Sequence, residues 1–272
     1  MKALHRLFDI YIHGSIHVAF AVLALTLMTL HMFALPFDSI AACFAFCGTV
    51  AGYNFVKYES LFRHRKPISL QVKLYAFITV VTGIGAGISF LMLTRAAQLW
   101  GLFFFGLTLL YTVPFFPNRK NMRNWTGIKI YMVALCWAGI TTLVPLLNAG
   151  VDITQDVLLK FVQRFVLVII LILIFEIIDS MEDDPLLKTV PQRIGVRNTK
   201  IVNFLLLALF YCLEFFKSDV DAKQLAVNVV LVVATTLFTL YATPERPKYY
   251  TLFWVESIPI FWLGLVIIVS NF

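Results

Sequence analysis

Charged residues are scarce in this chain. Asp, Glu, Lys and Arg make up 14% of its 272 residues, hydrophobic residues make up 60%, and the mean hydropathy is +0.87. Soluble globular domains carry about 25% charged residues, so the composition indicates a polytopic membrane protein instead. No long polar stretch remains between the apolar segments. We therefore expect one transmembrane domain over residues 1–272 and no additional soluble domain.

Cysteine is rare as well, and its positions exclude several classes of protein. All four cysteines fall within apolar segments: Cys43, Cys47, Cys136 and Cys212. A disulfide framework is not expected there, and the spacings do not match a zinc or haem signature. The sequence also lacks a Ser/His/Asp arrangement and a phosphate-binding loop after a strand.

Apolar segments of membrane-spanning length dominate the chain. A membrane-spanning helix needs about 20 mostly apolar residues. This criterion predicts an all-α protein with nine spans: 14–35, 38–57, 71–94, 97–117, 127–148, 157–178, 200–216, 223–242 and 250–270.

Basic residues predict the orientation of these spans. With the N-terminus inside, alternation places most of the 22 Lys and Arg residues on the cytoplasmic side, as the positive-inside rule requires. The C-terminus is then outside. The net charge of +7 is explained by this topology and by contact with anionic lipids, and it does not indicate nucleic-acid binding.

An acidic cluster follows the sixth apolar segment, in the stretch EIIDSMEDDPLLKTVPQRIG at 176–195. Glu176, Asp179 and Asp183 have spacings of three and four, which predict one shared helix face at the predicted cytoplasmic end of the span. Unpaired carboxylates in this arrangement would repel one another, and a divalent cation such as Mg²⁺ removes the conflict. The alternative is a solvated acidic loop offset by Lys188 and Arg193.

This stretch resembles the second aspartate-rich motif of the UbiA superfamily of intramembrane prenyltransferases. In that motif, acids spaced three and then four apart precede a basic residue, Thr, Pro and an Arg-x-Gly element. The matching positions here are Glu176, Asp179, Asp183, Lys188, Thr189, Pro191, Arg193 and Gly195. The nine predicted spans agree with the family as well.

The resemblance implies a function and a site. It implies a central cavity open to the cytoplasm, in which a prenyl group passes from a prenyl diphosphate to an aromatic or lipid acceptor. Asp179 and Asp183 would hold Mg²⁺, with Glu176 assisting directly or through water. The diphosphate would contact basic residues, here Lys188, Arg193, Lys57, Arg63 and Lys66. We expect an integral protein of a bacterial inner membrane that contacts lipid and can bind other membrane proteins.

The first aspartate-rich motif departs from the family pattern. Asn54 stands where the family has Asn, but Phe55 replaces the following Asp, and Glu59 is the only acid nearby. Asn54, Lys57 and Glu59 would form a weakened wall opposite the acidic cluster. Three interpretations follow: a transferase in which basic residues replace one metal ion, an isoprenoid- or lipid-binding homologue without turnover, and a subunit of a membrane complex.

Arg164, Glu214 and Glu256 are among the ionisable residues inside predicted spans. We expect Arg164 of the sixth span and Glu214 of the seventh to form an ion pair between antiparallel helices. Glu256, in the ninth span, either lines the cavity or caps a neighbouring polar group.

Overall fold

The computed structural model describes residues 2–63, 69–113 and 127–270, and these ranges are helical apart from short connections. The helices are α1 Lys2–His13, α2 Ile16–Met32, α3 Ser39–Arg63, α4 Leu70–Met92, α5 Arg95–Thr112, α6 Ile128–Ala138, α7 Val144–Asn148, α8 Gln155–Asp179, α9 Val190–Cys212, α10 Ala222–Tyr241 and α11 Ile258–Ser270. Two segments are π-helical: Gly139–Leu143 joins α6 to α7, and Tyr250–Val255 precedes α11.

Several helices begin at a polar capping residue. The side chains of Ser69, Thr94 and Thr154 each accept a hydrogen bond from an N–H group of the first turn that follows.

Most of the predicted spans are present. Seven helical segments of the described ranges are long and apolar enough to cross a membrane, and the bent pair α1–α2 raises this to eight. The chain is therefore an integral membrane protein. The predicted span 97–117 ends outside the described residues, and its described part, α5, is not among the seven. The ninth span, the cytoplasmic cavity and the orientation stay predictions.

The first predicted span, 14–35, is the C-terminal part of a broken helix. α1 and α2 meet at an angle of 53° around Gly14 and Ser15. Ser15 has φ 62°, and a Cβ on Gly14 would lie 2.4 Å from the carbonyl oxygen of Ile10. A residue without Cβ at position 14 therefore allows the bend.

α8 is the central helix of the bundle. It packs on α6 and α9, and most of its side chains are buried on every face. Its Leu167, Ile170 and Ile174 are fully buried in the main core, together with Phe210 of α9 and Trp262 of α11. A helix that is apolar all round is stable only when surrounded by other helices, which explains this position.

Hydrogen bonds between connections identify one end of the bundle. Thr94 N donates to Asn148 Oδ1 at 2.9 Å, and Asn148 Nδ2 donates to Asp38 Oδ2 at 2.6 Å. Ser218 N donates to Asp156 Oδ1 at 3.0 Å. The connections after α2, α4, α7 and α9 thus share one end, which we call the distal end.

The acidic cluster lies at the other end, which we call the motif end. Lys248, before the last helix, forms an ion pair of 2.5 Å with Glu182 of the connection after α8. Tyr249 donates a hydrogen bond of 3.3 Å to Asp9 of α1. Successive long helices therefore alternate in direction, as the sequence predicted, although the side of the membrane on which each end lies stays a prediction.

Candidate functional site

The acidic cluster is built on the end of α8 and the turn that follows. The carbonyl oxygen of Asp179 accepts hydrogen bonds from the N–H groups of Glu182 and Asp183, each at 2.9 Å. α8 ends at Asp179, so the prediction that Glu176, Asp179 and Asp183 share one helix face is wrong for Asp183. The turn, not a continued helix, positions Asp183 within electrostatic range of Asp179.

One side-chain oxygen of Glu176 accepts a hydrogen bond from the first turn of α9. Its side chain is 3% exposed, and Oε2 accepts a hydrogen bond of 3.0 Å from the N–H of Val190. Gln192 Oε1 accepts a second bond from Thr189 N at 3.0 Å. Both contacts satisfy N–H groups at the N-terminus of α9, where a carboxylate is electrostatically favourable.

Asp183 presents an unsatisfied oxygen. Its backbone carbonyl accepts a hydrogen bond of 3.1 Å from Gln192 Nε2, which holds the turn in place. Its side-chain Oδ2 is buried and has no hydrogen-bond partner among the described residues. A buried carboxylate oxygen is ordinarily paired, so this atom calls for a donor or a cation.

Two lysines that the sequence did not single out flank the acidic cluster. Lys248 pairs with Glu182, and this hydrogen bond raises the pKa of the Lys248 ammonium above its ordinary value. Lys129, at the start of α6, lies within electrostatic range of Glu176 and Asp179. Both lysines adjoin predicted spans at the predicted cytoplasmic side, which is the one sequence signal that places them near the cluster.

The structure describes the side chains of only some of the basic residues that were predicted to contact the diphosphate. Lys188 and Arg193 are both exposed, and Lys188 has φ 47° in the connection before α9. The side chain of Arg63 and all of Lys66 lie outside the described residues.

A cavity of about 20 Å³ lies between Lys129 and Glu176, which is room for about one water.

Asn54 and Lys57, the residues of the predicted wall opposite the acidic cluster, form hydrogen bonds to the bend between α1 and α2. Asn54 is 1% exposed, and its Nδ2 donates to Gly14 O at 3.2 Å, while its buried Oδ1 has no partner among the residues that the structure describes. Lys57 Nζ donates to Ser15 Oγ at 2.9 Å. These contacts place Asn54 and Lys57 at the motif end but direct their donors to the bend.

Glu256 joins this wall. It is half-buried and lies within electrostatic range of Lys57, Tyr11 and Tyr53. The Tyr53 hydroxyl accepts a hydrogen bond of 2.7 Å from Trp137 Nε1, which links α3 to α6. The sequence left the role of Glu256 open, and the structure gives it a charged neighbour of opposite sign.

The carboxylates do not converge into a complete metal cage. Within residues 2–63, 69–113 and 127–270, no three His, Cys, Asp or Glu side chains are arranged to hold a metal ion. Asp179 and Asp183 remain as a pair beside two lysines. Such a pair suits a cation that takes its other ligands from water and a bound phosphate.

No family model matches the chain, and no curated protein or solved structure is significantly similar to it.

Proposed function

We propose that the protein binds a prenyl diphosphate at the motif end and transfers the prenyl group to an aromatic or lipid acceptor within the membrane. The observation that carries the proposal is the buried Oδ2 of Asp183, which has no hydrogen-bond partner in the described part of the chain and lies beside Asp179, Lys129 and Lys248. The resemblance of 176–195 to the UbiA motif supports the same conclusion independently.

The residues present fit a magnesium ion held by two carboxylates. Mg²⁺ in proteins is bound by one or two carboxylates and keeps water and substrate phosphate in its remaining positions. Asp179 and Asp183 would hold it, while Glu176, with one oxygen engaged by Val190, would assist through its other oxygen or a water. When bound, the ion would neutralise negative charge on the diphosphate.

The chain itself supplies the rest of the chemistry. Loss of diphosphate from an allylic carbon leaves negative charge on the leaving group, and nearby ammonium groups stabilise that charge. Lys129 and Lys248 are close to the acids, and Lys188 and Arg193 extend the basic surface into solvent. The apolar faces of the surrounding helices would hold the prenyl tail away from water.

A second candidate function is binding without turnover, as an isoprenoid- or lipid-binding homologue or as a subunit of a membrane complex. The observation that favours it is the wall of Asn54 and Lys57. Their donors are bound to Gly14 and Ser15, and Glu256 of the same wall already lies beside the Lys57 ammonium.

The Asp183→Asn variant tests the proposed function. We expect geranyl, farnesyl or geranylgeranyl diphosphate with Mg²⁺ to raise the Tm of the purified protein by about 5 °C at about 100 times Kd. The asparagine keeps the shape of the side chain but loses the charge that a cation needs, so the shift should disappear. Asp184→Asn is the matched control, because it removes the same charge from an exposed neighbour.

The outcomes separate the candidates. A shift that requires Mg²⁺ and Asp183 supports the diphosphate site, and prenylation of an added acceptor library would then establish transfer. A site that binds but gives no product with any acceptor favours the second candidate. Equal shifts in both variants, or no shift in the unmodified protein, would refute the site.

A further inference from the structure

A second site lies at the distal end, far from the acidic cluster. A cavity of about 450 Å³ opens there among α2, α8, α10, α11 and the segment that follows α9. Its volume is within the range of about 300–1,000 Å³ that is typical of small-molecule pockets. Part of its lining is apolar and comes from Met32, Phe33, Val227, Val266 and Val269.

The deep part of this cavity contains a buried carboxylate whose hydrogen bonds are satisfied. Glu214 is 1% exposed, and its Oε2 accepts bonds from Gln163 Nε2 at 2.7 Å and Asn228 Nδ2 at 3.0 Å. Its Oε1 forms an ion pair with Lys217. The Glu214 charge is thus already compensated by one cation and two amide groups.

Two further basic residues are buried in the same region, and neither forms a direct ion pair in the described part of the chain, although Lys160 lies within electrostatic range of Glu214. Lys160 lines the cavity at 1% exposure, and its Nζ donates to Gln163 Oε1 at 2.9 Å. Arg164 lies beside it, also 1% exposed, and donates to the carbonyl oxygen of Leu25 at 2.9 Å. Both face the ring of Trp262, with the Lys160 Nζ 5.8 Å and the Arg164 Cζ 5.4 Å from its centroid.

The charges of this buried group do not balance. Among the described residues of this group, Lys160, Arg164 and Lys217 share the single carboxylate of Glu214, and an ammonium can donate three hydrogen bonds. Burying a cation without a counter-ion is costly, so an anion that enters the cavity would be strongly stabilised.

The rim of the cavity is acidic, and two of its three carboxylates accept hydrogen bonds. Asp156 accepts hydrogen bonds from the N–H and hydroxyl of Ser218, and Asp221 accepts one from Lys223 N. Asp219 and Lys223 are exposed and therefore screened by solvent. Lys160 and Glu214 are the buried ionisable groups of the described lining, so solvent screens them least.

We propose that this distal cavity binds an oxyanion, a phosphate or carboxylate head group, whose apolar chain lies along Val227, Val266 and Val269. Lys160 and Lys217 would donate hydrogen bonds to the oxyanion. The apolar lining favours an amphiphile over a free inorganic ion. The site is independent of the proposed function at the motif end.

The experiment uses the full chain in nanodiscs of zwitterionic phosphatidylcholine and four probes: decyl phosphate, inorganic phosphate, decanol and decyltrimethylammonium. We expect decyl phosphate to raise the Tm by about 5 °C at saturation, while the neutral and cationic probes with the same chain have no specific effect. Lys160→Met keeps most of the side-chain volume, removes the charge and should abolish the shift. Lys223→Met, at the exposed rim, is the matched control and should retain it.

Each outcome decides the proposal. A shift with decyl phosphate alone, lost in Lys160→Met, supports an amphiphile as the source of the oxyanion. Equal shifts with inorganic and decyl phosphate, also lost in Lys160→Met, support the oxyanion site with a soluble ligand. Equal responses to the anionic, neutral and cationic chains overturn the proposal, and this comparison holds even if the Lys160→Met variant does not fold.

Discussion

Glu214→Ala is expected to lower the free energy of unfolding by about 3–5 kcal/mol. The substitution removes the only carboxylate of the buried group and leaves Lys217 and Lys160 without their nearest negative charge. It also leaves the side-chain amides of Gln163 and Asn228 without an acceptor. The measurement is an SDS titration in mixed micelles, with helix content followed by circular dichroism.

Asp219→Ala is the control for this prediction, because Asp219 is an exposed carboxylate at the rim of the same cavity. A surface substitution of this kind changes stability by no more than about 0.5 kcal/mol. If the two variants unfolded at the same SDS concentration, Glu214 would not be the charge that stabilises the buried group.

Gly139→Ala is expected to destabilise the protein by about 1–3 kcal/mol, through overpacking. A Cβ at position 139 would lie 1.8 Å from Cζ of Phe104, which is 2% exposed. The ring of Phe104 packs against Trp100 and Phe103 at centroid distances of 5.9 and 5.2 Å, so it cannot move aside without disturbing them. The same SDS titration measures this effect.

Gly264→Ala, in contrast, is expected to stabilise the protein. Position 264 lies in α11, and no atom would come within 4 Å of a new Cβ there. Alanine in an open helical position stabilises a helix by up to about 1 kcal/mol relative to glycine. Stabilisation of both variants would show that α5 and the π-helical segment after α6 are not in the close contact described above.

The sequence predicts the helices well and their breaks less well. Apolar length placed the segment 71–94 within two residues of α4, because a span needs a fixed number of apolar residues. The predicted start at 200 was ten residues late, since α9 begins at Val190 and includes Arg193 and Arg197 on its exposed surface. Gly195, with φ 81°, bends this polar first part.

Part of the motif end could be predicted from spacing, and part could not. The acids at 176, 179 and 183 do lie together at one end of the bundle, but the turn after Asp179 depends on backbone hydrogen bonds that the spacing does not encode. The contact of Glu176 with Val190 N arises from the meeting of two helices. Lys129 and Lys248 reach the cluster only through folding, because they are far from it in the chain.

The expected ion pair between Arg164 and Glu214 is wrong. Antiparallel packing does place both side chains in the distal half, but each has nearer partners. Arg164 donates to the carbonyl oxygen of Leu25 and to Thr29 Oγ1. Glu214 accepts from Gln163 of α8 and Asn228 of α10 and pairs with Lys217. Buried polar groups take the acceptors that geometry offers, and the sequence does not show which backbone carbonyls are accessible.

We propose that Asp179 and Asp183 hold a divalent cation that contacts a diphosphate. Electron paramagnetic resonance of Mn²⁺, used in place of Mg²⁺, tests this binding directly. We expect one bound Mn²⁺ with hyperfine coupling to ³¹P when a prenyl diphosphate is added, and loss of both signals in Asp183→Asn but not in Asp184→Asn. Bound Mn²⁺ with ³¹P coupling that persists in Asp183→Asn, or no bound Mn²⁺ in the unmodified protein, would contradict it.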